Sequence, residues 1–340
     1  MFDTGVLGAP VNLKMKDNDP LYWLISEAIQ QLGLDADPKK LADRIRRLQV
    51  GLPAEDEFSV LLTWLGRCRL VHKLDQLQSP KSSRNTWAVP DLLAVFDYLG
   101  HDVAVLIEVK TTPFSNNRLS WRPAYRDAMI RYADLLGLPL LVAWRFGNIW
   151  TLFDARLLTP SPSRHKIDFT EAIRHTLMAE LAGDFSFSLR PGCGMHLRIR
   201  KLRETATGFH GRIDEAYWLN ADGKRFTKAP GVFPLFLCLD QESIVTEEDD
   251  HVIQSFVVPD AQAAEFAHRA LAALLRFSTR KDDIHWRRTL ESHMPSPVAD
   301  GGLRHAADDA LRCGFLRYGL LIQPATIPDF LLGYKRAARN

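Results

Sequence analysis

Hydrophobic and polar residues repeat along this chain with two different periods, and the changes of period mark its elements. Residues 19 to 50 predict helix, with Asp19-Pro20 and Asp37-Pro38 each placing an N-cap before a proline suited to a first turn. Pro53 predicts the start of a further helix. Glu55, Asp56 and Glu57 would occupy its first turn, where the helix dipole favours acids. Phe58, Leu61, Leu62 and Leu65 then recur at helical spacing, and Gly66 ends the element. The period then shortens to two. Val89 to Tyr98 and Val103 to Thr111 read as strands joined by a turn at Leu99-Gly100. A helix from Pro123 to Leu136 passes through Gly137 into the apolar run LPLLVAW and a last strand, NIWTLFDA.

Proline and serine in TPSPSRHK, residues 159 to 166, predict a linker or domain edge. Beyond it, FSFSL, MHLRIRKL and PLFLCL alternate like strands, TEEDD (246 to 250) predicts an acidic loop, and AQAAEFAHRALAALLRF an amphipathic helix. The expected division is an N-terminal helical segment (1–51), a catalytic α/β domain (52–158) and a C-terminal α+β recognition or assembly domain (159–340).

Chemistry enters with the hairpin. Turning at Leu99-Gly100 sets Asp91 opposite Glu108. Alternation puts Ala104, Leu106, Glu108 and Lys110 on one face of the second strand and Val103, Val105, Ile107 and Val109 on the other. Two carboxylates and an ammonium thus converge at one end of an apolar hairpin. Burying such charges costs several kcal/mol unless they pair or bind a metal. Paired carboxylates suit Mg²⁺, with Mn²⁺ an expected substitute, and Val109 is placed to add its backbone carbonyl. Such a cation polarises a scissile phosphate, and Lys110 would position or deprotonate the attacking water.

Pro90-Asp91 followed by Glu108-Val109-Lys110 resembles the PD-(D/E)xK nuclease superfamily, most closely its archaeal Holliday junction resolvase-like branch. AEDEFSVLLTWLGRCRLV looks like that branch's first helix and strand, AVPDLLAVF and AVLIEVKTT like its catalytic strands, and RDAMIRYADLLGLPLLVAWRFGNIWTLFDA like its closing helix and strands. The resemblance covers residues 52 to 156 and implies a restriction-endonuclease-like core, a mixed sheet flanked by helices. It also implies metal-binding roles for Asp91 and Glu108, catalytic roles for Lys110 and Glu55, and Mg²⁺-dependent cleavage of DNA in a defence, transposition or DNA-processing setting. Glu57 is the alternative helix-borne acid. Protein partners of such a complex and a homodimer are compatible with this reading. The alternative reading is a non-catalytic nucleic-acid-binding or assembly protein that keeps the nuclease fold.

A formal net charge of +2 is nearly balanced, so nucleic-acid contact must rest on local patches. Arg122, Arg126 and Arg131 recur along one helix, and His196, Arg198 and Arg200 share a strand face. RFSTRKDDIHWRR sets Arg276, Arg280, Lys281, Arg287 and Arg288 around Trp286. The four cysteines, Cys68, Cys193, Cys238 and Cys313, form no CxxC pair, and the eleven histidines show no metal-binding spacing. No phosphate-binding GxxxxGK[ST] loop occurs. Neither a signal-like N-terminus nor a bilayer-length apolar run is present, which predicts a cytoplasmic protein without membrane contact.

Overall fold

The computed structural model describes residues 24, 25, 29, 37–75, 80, 82, 83, 86–161, 163–228, 236, 239–260, 264–278, 302–319 and 323–337. Asp37 caps the first long helix, α1 (Pro38–Leu65), its Oδ1 accepting the Lys39 N–H at 2.9 Å. A single helix replaces the two expected here, because Pro53 lies inside it. Proline removes one backbone donor and bends a helix, and here the turns after it are anchored by buried Ala54, Phe58, Leu61, Leu62 and Leu65. Glu55, Asp56 and Glu57 therefore stand in a helix interior, so a first-turn dipole does not explain them.

Next come β1 (Cys68–Lys73), β2 (Leu92–Tyr98), β3 (His101–Thr112), β4 (Arg118–Trp121), α2 (Pro123–Leu136), β5 (Leu140–Phe146) and β6 (Ile149–Asp154). The central sheet has the order β1-β2-β3-β5-β6. Only the β3–β5 pair is parallel, as a connection running through α2 allows. Gly137 closes α2 in the left-handed conformation, φ 67°. Alternation along β3 separates two cores. Val103, Val105, Ile107 and Val109 pack on the α1 side, while Leu106 joins Met129 and Ala133 of α2 on the other.

Leu99 and Gly100 form the two-residue turn between β2 and β3, with φ 54° and 83°. This hairpin geometry favours glycine or asparagine at both central positions. Leucine in the left-handed region costs about 1 kcal/mol, and Leu99 is half exposed, so little packing offsets it. Leu99→Asn is expected to raise stability by about 0.5–1 kcal/mol. An unchanged urea midpoint would contradict this.

Residues 159–166 do not run as a linker. Thr159–Pro160 forms β7 and His165–Asp168 forms β8, which complete a small sheet of order β4-β8-β7 beside β3 and α2. Proline is tolerated there because β7 is an edge. Then follow α3 (Phe169–Arg174), β9 (Ser186–Leu189), β10 (Gly194–Thr205), β11 (Gly208–Leu219), β12 (Arg225–Phe226), β13 (Glu242–Glu248), β14 (His251–Val257), β15 (Glu265–Phe266), α4 (Ala267–Ser278), α5 (Gly302–Arg312), β16 (Leu316–Tyr318) and α6 (Asp329–Ala337). Most of TEEDD belongs to β13, with only Asp249-Asp250 turning, since pairing with β14 satisfies the backbone despite the acids. PLFLCL and Cys238 lie largely outside the described residues. Cys68, Cys193 and Cys313 are free thiols.

The core on the α1 side continues into the second half of the chain, taking in Leu181, Phe185, Phe187, Ala270 and Leu271. Buried His268 adds a polar tie. Its Nε2 accepts the Trp150 backbone N–H at 3.2 Å, so Nδ1 carries the proton and donates to Asp184 Oδ2 at 2.6 Å. Among the described residues no helix is long and apolar enough to cross a membrane.

Candidate active site

The β2–β3 register runs from Tyr98 opposite His101 to Leu92 opposite Ile107, so Asp91, one residue before β2, falls opposite Glu108. Both carboxylates face α2, away from the α1-side residues Leu92, Ile107 and Val109. Asp91 is 7% exposed and Glu108 1%. Asp91 Oδ2 accepts the Val109 N–H at 2.8 Å, which ties the start of β2 to β3 across the site.

Glu108 Oε1 takes the Lys110 Nζ and, at 2.6 Å, the hydroxyl of Tyr125. Glu108 Oε2 is buried and receives no hydrogen bond from the described residues. Lys110 Nζ also donates to the Val109 carbonyl at 3.1 Å and lies 5.8 Å from the centre of the Tyr125 ring. Lysine and two carboxyls therefore lie together on one face of the sheet, with Val109 contributing both of its backbone groups.

Electrostatics follow from this crowding. Burial, then the charge of Glu108, pushes the Asp91 carboxyl up to about 7, against the pull of Lys110 and the Val109 N–H. Burial opposes the Lys110 ammonium, but Glu108 and Asp91 outweigh it and hold its pKa above the ordinary lysine value. Burial, then Glu108, raises the Tyr125 phenol, which stays a donor. Glu108 Oε2 is an acceptor without a donor in a site that carries two acids, and a divalent cation fits that deficit. Among the described residues no three His, Cys, Asp or Glu side chains cluster to hold a metal. The available ligands are thus Asp91, Glu108 and the Val109 carbonyl.

Glu55 approaches from the α1 side and pairs with Lys73 of β1. Burial raises its pKa, and it lies within electrostatic reach of Asp91 and Lys110. Glu57 is turned elsewhere: Arg145 Nη1 donates to it at 2.5 Å and Trp150 Nε1 at 3.0 Å. Arg122 is exposed immediately before α2, while Arg126 is mostly buried and 3.3 Å from Asp127. Arg131 donates to the Thr86 carbonyl at 3.0 Å. Arg198 and Arg200 lie on β10 and pair with acids, Glu248 at 3.6 Å and Asp214 at 2.6 Å. His196 is buried, its Nδ1 2.8 Å from Ser255 Oγ. Arg287 and Arg288 lie outside the described residues.

Sequence reasoning did not find Tyr125. Its only sequence signal is a place in the first turn of α2, and the crossover carries that turn over β3. Tyr125→Phe removes one of the two donors to Glu108 Oε1 and is expected to cost about 1.5–3 kcal/mol at neutral pH. A denaturation midpoint equal to wild type would show that the phenol is not holding the carboxylate.

No family model matches the chain, and neither does any curated protein. Among solved structures, a Holliday junction resolvase from the archaeal hyperthermophile Archaeoglobus fulgidus is similar over 35% of this chain and 89% of its own, at 19% identity and a TM-score of 0.29. The chain is a mixed α/β protein whose central sheet presents two buried carboxylates and a lysine on one face.

Proposed function

We propose that this chain is a divalent-cation-dependent nuclease that hydrolyses phosphodiester bonds in DNA, with Asp91, Glu108 and Lys110 as its catalytic centre. The observation that carries the reading is the convergence of the buried Asp91 and Glu108 carboxyls with the Lys110 amine on one face at the end of the β2–β3 hairpin. Asp91, Glu108 and the Val109 carbonyl would hold Mg²⁺ or Mn²⁺. When bound, that cation supplies charge neutralisation at the phosphate and acidifies a water.

The remaining work falls to the chain itself. Lys110, held as an ammonium by its carboxylate neighbours, donates to the charge that develops on the phosphate oxygens. That charge state supports a donor role over the alternative of proton abstraction. Tyr125 holds the Glu108 carboxylate by donating its hydroxyl to Oε1. Glu55 and Lys73 form a neutral pair at the border of the site and shape its field.

The direct test is incubation of purified protein with supercoiled, linear, branched and single-stranded DNA in Mg²⁺, Mn²⁺ or EDTA. Cleavage that requires the cation and appears with at least one substrate is the expected result. Cleavage persisting in EDTA would overturn the assignment, and binding without cleavage in any condition would favour an assembly role.

A further inference from the structure

Among the described residues, the cations of two sheets differ in their partners. On the sheet of order β12-β11-β10-β14-β13, Lys201 pairs with Glu247 and Arg212 with Asp214, both at 3.1 Å, as Arg198 and Arg200 also pair with acids. Arg200 and Arg212 share Asp214, so most cations of that sheet have an acid partner. The small β4-β8-β7 sheet differs. Residues 113–126 hold Arg118, Arg122 and Arg126 with no acid, and residues 159–168 hold Arg164 and Lys166 with Asp168. Asp168 is occupied in capping α3, its Oδ1 accepting the Glu171 N–H at 2.9 Å. Arg118, Arg122, Arg164 and Lys166 make no ion pair with an acid among the described residues.

These charges are also arrayed on one side. Ser120 pairs with Lys166, and Arg118 with Asp168, so these side chains share the face opposite buried Leu119, Trp121 and Ile167. Arg164 reaches across to Ser120 Oγ at 3.4 Å. An exposed aromatic ring belongs to the loop that leads into this sheet and packs on Phe146, which in turn packs on Phe169 directly after β8. Phe114, in the loop from β3 to β4, is 61% exposed. It is nevertheless fixed, packing edge-on against Phe146 at 5.1 Å and lying over Gly147. A Cβ at position 147 would meet the ring at 2.2 Å, and φ there is 60°, so only glycine leaves room for it.

Phe114 lies four residues beyond Lys110, in the turn that follows the end of β3 at Thr112. An exposed ring of fixed orientation in the loop that leads to these cations offers stacking for a base, and the cations offer contacts for phosphates. A base inside a duplex has no free face for such a ring.

We infer that the β4-β8-β7 sheet and the loop carrying Phe114 bind an unpaired nucleic-acid strand, with a base stacked on Phe114 and phosphates held by Arg118, Arg164 and Lys166. The inference deepens the nuclease reading by naming a single-stranded flank or branch as the part of the substrate next to the cleavage site. It does not depend on turnover.

Fluorescence anisotropy in EDTA, with labelled single-stranded and duplex deoxyoligonucleotides, separates binding from chemistry. Phe114→Ala should weaken single-strand binding by about 5- to 100-fold and duplex binding less than about 2-fold. Phe114→Trp should restore the preference, whereas Phe114→Leu, which keeps the apolar contact with Phe146, should not. The triple change Arg118→Gln, Arg164→Gln, Lys166→Gln should lower the salt dependence of single-strand binding by about 2 in the log–log slope. Arg198→Gln with Arg200→Gln should leave that slope unchanged. Equal single-strand affinity in wild type and Phe114→Ala would overturn the proposal, as would a larger slope change from the β10 pair than from the triple. If these binding effects appear without any cation-dependent cleavage, the platform stands and the nuclease reading falls. Cation-dependent cleavage with no Phe114 effect keeps the nuclease reading and removes the platform.

Discussion

Replacing Lys110 by alanine is expected to lower DNA cleavage by about 10²–10³ while leaving DNA binding close to that of the wild type. Lys110 Nζ touches the Glu108 carboxylate and the Val109 carbonyl, the groups that border the proposed cation site. Its amine is only partly exposed, whereas the cations offered for strand binding lie on a separate small sheet. A group that acts mainly in the transition state alters rate far more than affinity. Single-turnover cleavage under saturating protein, compared with anisotropy in EDTA, tests both halves of this expectation. Undiminished cleavage by Lys110→Ala would mean that the activity belongs to another site or to a contaminant. Loss of binding equal to the loss of cleavage would instead make Lys110 a phosphate-holding residue without a distinct chemical role.

Asp91→Asn is expected to stabilise the metal-free protein at pH 8, an effect that runs against its loss of activity. Burial and Glu108 raise the folded-state pKa of Asp91 to about 7, against about 4 in an unfolded chain. The folded form therefore binds the proton more tightly. The stability gained from that proton is complete below about pH 4 and is lost as pH rises through about 7. Over that window the difference amounts to at most about 4 kcal/mol. Asparagine keeps an oxygen to accept the Val109 N–H at this position, yet carries no charge at any pH. The variant should thus match wild type near pH 4 and exceed it at pH 8 in EDTA. With Mg²⁺ the order should narrow or reverse, since a ligand stabilises only the protein that binds it. Equal Mg²⁺ stabilisation of both proteins in thermal melts would show that Asp91 is not a ligand. A variant less stable than wild type at pH 8 in EDTA would show that Asp91 is not held under electrostatic strain.

What the sequence determined by itself was the local frame of the site. Strand alternation is a property of the backbone, and a two-residue turn leaves a single register, so Leu99-Gly100 alone placed Asp91 opposite Glu108 and Lys110 on the same face. The Pro123–Leu136 helix with its Gly137 stop was legible for the same reason, since caps and periodicity act within a few residues. Tertiary structure decided what local rules do not reach. Pro53 became an interior residue of α1, so no helix dipole acts on Glu55 and Glu57 there. Packing sorted those two acids instead, one onto Lys73 at the site and the other onto Arg145 and Trp150. Tyr125 reaches Glu108 only because the parallel β3–β5 connection lays α2 across the sheet. Residues 159–166 have the composition of a linker, yet β4 supplies an open edge on which β8 and β7 pair. Arg198 and Arg118 look alike in sequence. One pairs with Glu248 across the sheet, while the other lies opposite Asp168, which caps α3, because long-range strand pairing chooses each cation's neighbours.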